Sequence, residues 1–452
     1  MNIINHMTPS IQPIYNKISY VFYSLFYFIC SLFSKIQLPN LSLIHIYIII
    51  TFIILGIFVY IKLKYPFWSN QPCWHTYDYW RYLYKTPFII QKSKPIKTKF
   101  LKPQNVMTFP YLDASQNTIV ECVNLLQCFY IPTDKILLTI NKKDLDTIMT
   151  GHDGSPFLSI YYENQYTTDI SNEIHTIQKP IACMISYPIH IYYLETTASI
   201  QYTSLHSYYW DYICIHRNHK KTSFLRNLIQ THEYNQRIKS PDIPVSLFKK
   251  ETTLCEGIVP LLKYISYTYH LQPIQITKLP NEFIIIRIIR ENIFILFEFL
   301  EKLKDPQMPN IFAFYSYTSN VNLTTLIESG QLYVYCLKKG EHIYGMYFIK
   351  KTYTIYEDIP NGNTLQLVAS INNSSQPDIF AKGFMHSMID LLKTSVEKYD
   401  VLIIDDCSHN KILLQEWNKP FSPMLENQCA YYLYNFVYPS TPLQSDNVFI
   451  LL

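Results

Sequence analysis

Residues Asn427–Leu452 read NQCAYYLYNFVYPSTPLQSDNVFILL and close on Val448-Phe449-Ile450-Leu451-Leu452. A chain terminus is ordinarily polar and frayed. An apolar run at a free end is costly unless buried, because each large side chain contributes roughly 1.5–3 kcal/mol on leaving water. Leu452 is therefore expected inside the fold, with its α-carboxylate carried along. A carboxylate held there is a ready acid–base group. Upstream, Tyr431, Tyr432 and Tyr434 alternate faces as in a strand, so at least one belongs to the core.

Working outward, 452 residues suffice for two ordinary domains or one large one. A hydrophobic share of 48% supports a sizeable core and argues against wholesale disorder. The 9 glycines and 40 tyrosines suggest an AT-rich coding sequence, as in large DNA viruses or protists. A net charge of +4 is too small and too dispersed to imply nucleic acid. The 10 cysteines are scattered singly, without CxxC or other zinc spacing, and read as reduced thiols. His216 and His409 belong to no metal-ligand pattern, and no metal is expected.

Leu41–Ile61 (LSLIHIYIIITFIILGIFVYI) contains no charged residue. As a helix it extends ~31 Å, enough to cross a bilayer core. Lys62, Lys64 and Arg81 follow it, whereas only Lys35 closely precedes it, which places the C-terminal bulk in the cytosol. Ser19–Phe33 is a shorter apolar run that lies in the interface or pairs with the span as a hairpin. Residues 1–64 are thus expected to be a membrane-anchor region.

Beyond Tyr65 the pattern alternates between strand-like and helix-like stretches, with no repeat visible. Ile181–Leu194 reads as two short strands or one strand bent at Pro188. Tyr208–His216 reads as a strand, followed by a helix from Lys220 to about Gln236 with Phe224, Leu225, Leu228 and Ile229 on one face. Phe283–Ile295 and Gln331–Tyr353 are strand-like. Phe384–Tyr399 is an amphipathic helix leading into the short strand Val401–Ile404. This order implies an α/β or α+β fold with mixed sheets. Lys92–Lys102 reads as an exposed loop, and Ser240–Pro244 punctuates the chain between two halves, 65–240 and 241–452.

Arg217-Asn218-His219-Lys220-Lys221-Thr222-Ser223 lies between a strand and a helix. Free N–H groups at a helix start attract phosphate, and neighbouring cations add to that. A solvated charged turn has the same composition. Neither a Walker A sequence nor a GxGxxG motif occurs.

Several segments in order match one family. Tyr65-Pro66-Phe67-Trp68-Ser69-Asn70-Gln71-Pro72 departs by Asn70 alone from Tyr-x-Phe-Trp-x-Thr-Gln-Pro. Leu125–Asp134, Ile185–Tyr192, Tyr212–His216 with its trailing basic residues, Leu228-Ile229, Asp400-Val401, Asp406, Asn410-Lys411 and Tyr431–Asn435 follow. Together they resemble the eukaryotic N-myristoyltransferases. The resemblance spans Tyr65 to Leu452 and implies a duplicated GNAT-like acyltransferase fold, the first half binding acyl-CoA and the second mainly peptide. It implies myristoyl-CoA as co-substrate, with Tyr65, Phe67, Trp68, Gln71, Arg217, Lys220, Lys221, Thr222, Ser223 and Phe224 holding it. Tyr130, Asp134, Glu426 and Tyr434 are implied at the peptide. In that family the C-terminal carboxylate is the catalytic base. The implied catalytic set is therefore Leu452 with the backbone N–H groups of Tyr212 and Ile213 as oxyanion donors.

The reaction implied is transfer of myristate to the α-amine of an N-terminal glycine, by a monomeric, membrane-anchored, cytosol-facing enzyme. Three departures stand out: Leu425-Glu426-Asn427 loses two glycines, Ile136-Leu137-Leu138 replaces phenylalanines, and Cys255-Glu256-Gly257 replaces Thr-Ala-Gly. They keep two alternatives open. One is a membrane or virion protein that retains the scaffold without turnover. The other is an acyltransferase with a different amine or acyl chain.

Overall fold

β-Branched and aromatic residues crowd the chain after residue 150, and among the described residues most strands of one mixed fifteen-stranded sheet form there. The computed structural model describes residues 43–452 except 79, 81–82, 84, 132, 134, 169–173, 196–200, 220–221, 275–277 and 306–311. The apolar run 19–33 lies outside the described residues.

Two compact units divide the chain, Met1–Pro66 and Phe67–Leu452. In the first, helix α1 (Leu43–Lys64) exposes apolar side chains along its length, including Tyr47, Phe52, Ile54 and Phe58. Among the described residues it is the one helix long and apolar enough to cross a membrane, with a mean hydropathy of 2.1 over Tyr47–Lys64.

The second unit contains the sheet. Its main strands are β1 (Phe157–Thr168), β2 (Ile174–Glu195), β3 (Gln201–Ile215), β4 (Val245–Glu251), β5 (Leu262–His270) and β6 (Phe283–Ile288). They continue with β7 (Phe314–Tyr317), β8 (Leu332–Lys339), β9 (His342–Tyr356), β10 (Asn363–Asn372), β11 (Val401–Asp405), β12 (Leu425–Tyr434) and β13 (Val448–Leu451). The spatial order is β13-β7-β2-β3-β4-β12-β5-β11-β10-β9-β8-β6, with β1 beside β2.

This order contains a duplication. β2 and β3 form an antiparallel pair, helix α2 (Thr222–Lys239) crosses over, and β4 returns parallel to β3. Later, β9 and β10 are antiparallel, helix α3 (Pro377–Thr394) crosses over, and β11 returns parallel to β10. The strands that follow are exchanged: β5 pairs with β11, β12 pairs with β4, and β5 and β12 pair with each other. The duplicated mixed α/β architecture implied by the resemblance is the one observed. Ser240–Pro244 joins α2 to β4, within the first copy.

Of the two readings of the segment around Pro188, the single strand is the one observed, since β2 runs unbroken through it. The strand expected over 283–295 stops at Ile288, giving way to a helix over Phe294–Lys302, and the helix expected over 384–399 runs instead over Pro377–Thr394. Leu228 and Ile229 of α2 are buried as expected. The same face also buries Gln230, His232, Glu233, Gln236 and Arg237. Buried polar groups need partners, and His232 has two: Nδ1 lies 2.8 Å from Ser159 Oγ, and Nε2 lies 2.9 Å from Ser186 Oγ. Ser186 donates to Gln236 Oε1 at 2.8 Å. His232 must then donate through Nε2 and accept through Nδ1. Glu233 and Arg237 form an ion pair at 3.1 Å, both side chains almost fully enclosed.

Candidate active site

The pairing of β2 with β3 breaks at one place. Cys183 faces Cys214 and Ile185 faces Asp211, so Tyr212 and Ile213 together oppose Met184. This is a β-bulge, and Tyr212 takes the left-handed φ of 46°, which tyrosine rarely adopts. β3 pairs with β4 only over Ser207–Trp210, opposite Val245–Phe248. β4 nevertheless continues to Glu251 along β12. From the bulge onward the parallel strands separate, and the sheet opens into a split.

One side of the split is aromatic. Phe248 stacks on Trp68 at 5.7 Å, on Trp210 at 5.6 Å and on Tyr432 at 5.3 Å. Strand alternation sends the next residue, Lys249, to the other side, which is polar. There Lys249 Nζ lies 2.7 Å from Glu251 Oε1 and 3.8 Å from Asp405 Oδ2. The Asp405 carboxylate accepts from Ser266 Oγ at 2.6 Å and from Gln366 Nε2 at 2.8 Å.

The chain end is held by Lys350 of β9. β13 lies parallel to β7, and Val448, Phe449, Ile450 and Leu451 are all buried. Phe449 packs edge-on against Phe348 at 5.4 Å. Two residues further along the same face of β9, Lys350 Nζ donates to the Leu452 main-chain oxygen at 2.9 Å. Lys350 also exerts the strongest attractive charge felt by Asp211, the residue preceding the bulge.

Burial sets the protonation preferences here. It raises the Asp211 carboxyl, against which Lys350, the Tyr212 N–H and Lys249 pull. It lowers Lys350, an effect that Asp211 offsets and Lys249 reinforces. Burial also works against the charge on Lys249, yet Asp405 and Glu251 hold it well above an ordinary lysine. Burial pushes the Tyr212 hydroxyl far up, and its ring meets that of the exposed Tyr130 at 5.4 Å.

The residues singled out from sequence fall into distinct places. Tyr212 and Ile213 form the bulge, and Leu452 is tied to Lys350, which in turn faces Asp211. The N–H of Tyr212 donates to Asp211 Oδ1 at 2.8 Å, so this oxyanion candidate already has an acceptor. Tyr130 ends the helix Gln116–Phe129 against Tyr212. Phe67 is buried edge-on to Trp68 and Phe100, and Trp68 covers Phe248. Gln71 bridges Gln230 and the Tyr434 hydroxyl at 2.8 and 2.7 Å. Arg217 lies in the turn before α2, while Ser223 and Phe224 lie in its first turn, with Phe224 edge-on to Tyr161. Tyr65 belongs to the first unit. Lys220, Lys221 and Asp134 lie outside the described residues, and so does the side chain of Thr222. Glu426 is exposed near the start of β12 and Tyr434 is buried at its end. At roughly 3.3 Å per residue these two stand about 26 Å apart, so they do not share one subsite.

Asp211, Lys249 and Lys350 escaped the sequence reading, and so did Asp405 as a partner of Lys249. One signal was available for the first three: each interrupts an apolar or aromatic strand, as in Tyr344–Lys350 (YGMYFIK) and Tyr208–Ile213 (YYWDYI). Among the described residues no group of three or more histidine, cysteine or acidic side chains is placed to hold a metal ion.

No family profile matches this sequence, and no curated protein does. Solved structures do match. N-myristoyltransferase of Saccharomyces cerevisiae with bound myristoyl-CoA is similar over 86% of this chain and 99% of its own, at 12% identity and a TM-score of 0.61. Structures of the same yeast protein with bound myristoyl-CoA and inhibitors give 13% identity and a TM-score of 0.61, covering 86% and 94%. This chain shares that fold.

Proposed function

We propose that this protein is an acyl-CoA-dependent N-acyltransferase that moves a myristoyl or similar long-chain acyl group to the α-amine of an N-terminal glycine. One observation carries the reading: within a fold shared with a myristoyl-CoA-bound enzyme, the bulge at Tyr212–Ile213 and the end of the chain at Leu452 are linked through Lys350 and Asp211. A split between parallel strands accepts an extended thioester ligand. Its aromatic side suits the pantetheine and acyl chain, and Arg217 with the start of α2 suits the phosphates.

The incoming α-amine has a reference pKa of ~8, so a modest base suffices. The Leu452 carboxylate takes its proton as nitrogen attacks the thioester carbon, and the thiolate of CoA leaves. The developing oxyanion is met by the Ile213 N–H, since Asp211 occupies that of Tyr212. A preorganised donor of this kind contributes roughly 3–4 kcal/mol in other enzymes. α1 anchors the enzyme in a membrane, with Lys62 and Lys64 marking the cytosolic side.

The occupied Tyr212 N–H also favours a second reading, a scaffold that binds acyl-CoA without turnover. An anionic Asp211 beside a developing oxyanion is repulsive, unlike a neutral donor. The full chain in detergent, given myristoyl-CoA and glycine-initiated peptides, discriminates by CoA release and the mass of acylated peptide. Product that is lost when one residue is appended after Leu452 supports the leading reading. Bound acyl-CoA without product across a broad peptide set supports the second. Absence of acyl-CoA binding overturns both.

A further inference from the structure

We infer that the lysine-rich loop 91–102 is a docking surface for an anionic bilayer, on which the second unit meets the acidic lipid headgroups of the membrane that α1 enters. The inference rests on the membrane reading of α1, but every residue of the surface lies in the second unit. Residues 79–112 hold seven lysines and arginines and no acidic residue. Five of the seven are Lys92, Lys94, Lys97, Lys99 and Lys102. A net charge of +4 over the whole chain hides this local excess.

The loop is fixed from beneath by its main chain. The Gln91 N–H donates to Asn435 Oδ1 at 2.7 Å, and Asn435 Nδ2 donates back to Gln91 O at 3.0 Å. Arg237 Nη2 of α2 donates to Gln91 O at 3.0 Å and to Ser93 O at 2.6 Å. Thr98 Oγ1 donates to Gln230 Oε1 at 3.2 Å, and the Lys102 N–H donates to Thr231 Oγ1 at 2.9 Å. The buried polar face of α2 therefore holds this loop in shape. All five lysines are exposed, and none is ion-paired among the described residues. Fixing like charges side by side costs free energy through repulsion, as does enclosing the Arg237–Glu233 pair. An anionic surface removes the first cost.

Phe100 of the loop packs edge-on to Phe67 at 5.2 Å, and Phe67 follows Lys64 by three residues. At no more than ~3.6 Å per residue, the chain keeps Phe67 within about 11 Å of the end of α1. Ile96 is 64% exposed among the lysines, and Trp80 and Leu83 are exposed in the segment before them. Apolar and aromatic side chains of this kind enter the headgroup layer. Nucleic acid is recognised instead by arginine forks and stacking aromatics. The loop has no arginine, and its one aromatic, Phe100, is buried. Its contacts on α2 run from Gln230 to Arg237, at least ~12 Å along the helix from the start at Thr222. These lysines are thus separate from the phosphate end proposed above.

The test places the full chain in phosphatidylcholine nanodiscs, with or without about 30% phosphatidylserine, and follows acetylation of each lysine by peptide mass. Labelling of the five loop lysines should fall about threefold or more in anionic discs relative to neutral ones, and recover in about 0.5 M salt. Lys143 and Lys398, exposed elsewhere, should label equally in both. When Lys94→Glu, Lys97→Glu and Lys99→Glu are combined, the protection of Lys92 and Lys102 should vanish. Equal labelling of the wild-type loop in both discs overturns the inference and leaves the anchor standing. Protection by single-stranded RNA in neutral discs, with none from anionic lipid, overturns it in favour of nucleic acid. A wild type that joins anionic discs but not neutral ones, with the loop protected, supports the surface and rejects α1 as the anchor. Failure to join either disc overturns both.

Discussion

His232 shows how a single residue's chemistry is set by distant partners. Enclosed between Ser159 and Ser186, it is pushed down to about 3 by burial, which Gln236 opposes only weakly. The unfolded chain takes up this proton near the ordinary ~6.5. Between those values the unfolded state binds more protons, so stability rises with pH. The contribution is complete above about pH 6.5 and fades toward about pH 3, at up to about 1.4 kcal/mol per pH unit. Urea midpoints measured from pH 7 to 4 should therefore fall more steeply in the wild type than in His232→Gln. Parallel slopes would show that the imidazole is not held neutral. None of this is legible in Gln230-Thr231-His232-Glu233, which reads as a polar stretch of an amphipathic helix. The same holds for Asp211 and Lys350, whose neighbours arrive from strands far apart in sequence.

At the scale of elements, the C-terminal strand was the most legible part of the chain. Its apolar run forecast burial, and Val448–Leu451 are buried, with Phe449 wedged between Phe312 and Phe348. Phe449→Ala should cost about 3–5 kcal/mol, readable as a lowered denaturant midpoint. A value under 1 kcal/mol would mean that β13 is not seated as described. Pro188 was less legible, because proline ordinarily marks a strand's edge or end. β2 carries it because β1 pairs only as far as Ser186 and β7 begins only at His190. Pro188 falls in the gap between those partners, where no ladder N–H is required. The bulge at Tyr212–Ile213 was invisible for a related reason: in sequence it is simply two more residues of a strand, and it exists only relative to Met184.

For the whole molecule, Phe67–Leu452 forms a compact unit with its own core, separate from the unit that contains α1. A fragment beginning at Phe67 should unfold in one cooperative transition and stay in solution without detergent. The full chain should float with neutral liposomes and the fragment should not. Flotation of both would place the membrane affinity in the second unit. The sequence by itself determined the apolar span, the mixture of strands and helices, the buried terminus and the resemblance that anticipated the duplicated architecture, since these rest on local hydrophobic patterns and short ordered motifs. Tertiary structure alone decided the exchange of β5 and β12 between the two copies, the split beyond Trp210, and the meeting of Leu452 with Lys350. Those features depend on pairings between residues scores to hundreds of positions apart, and hydrophobic periodicity carries no record of which strand lies beside which.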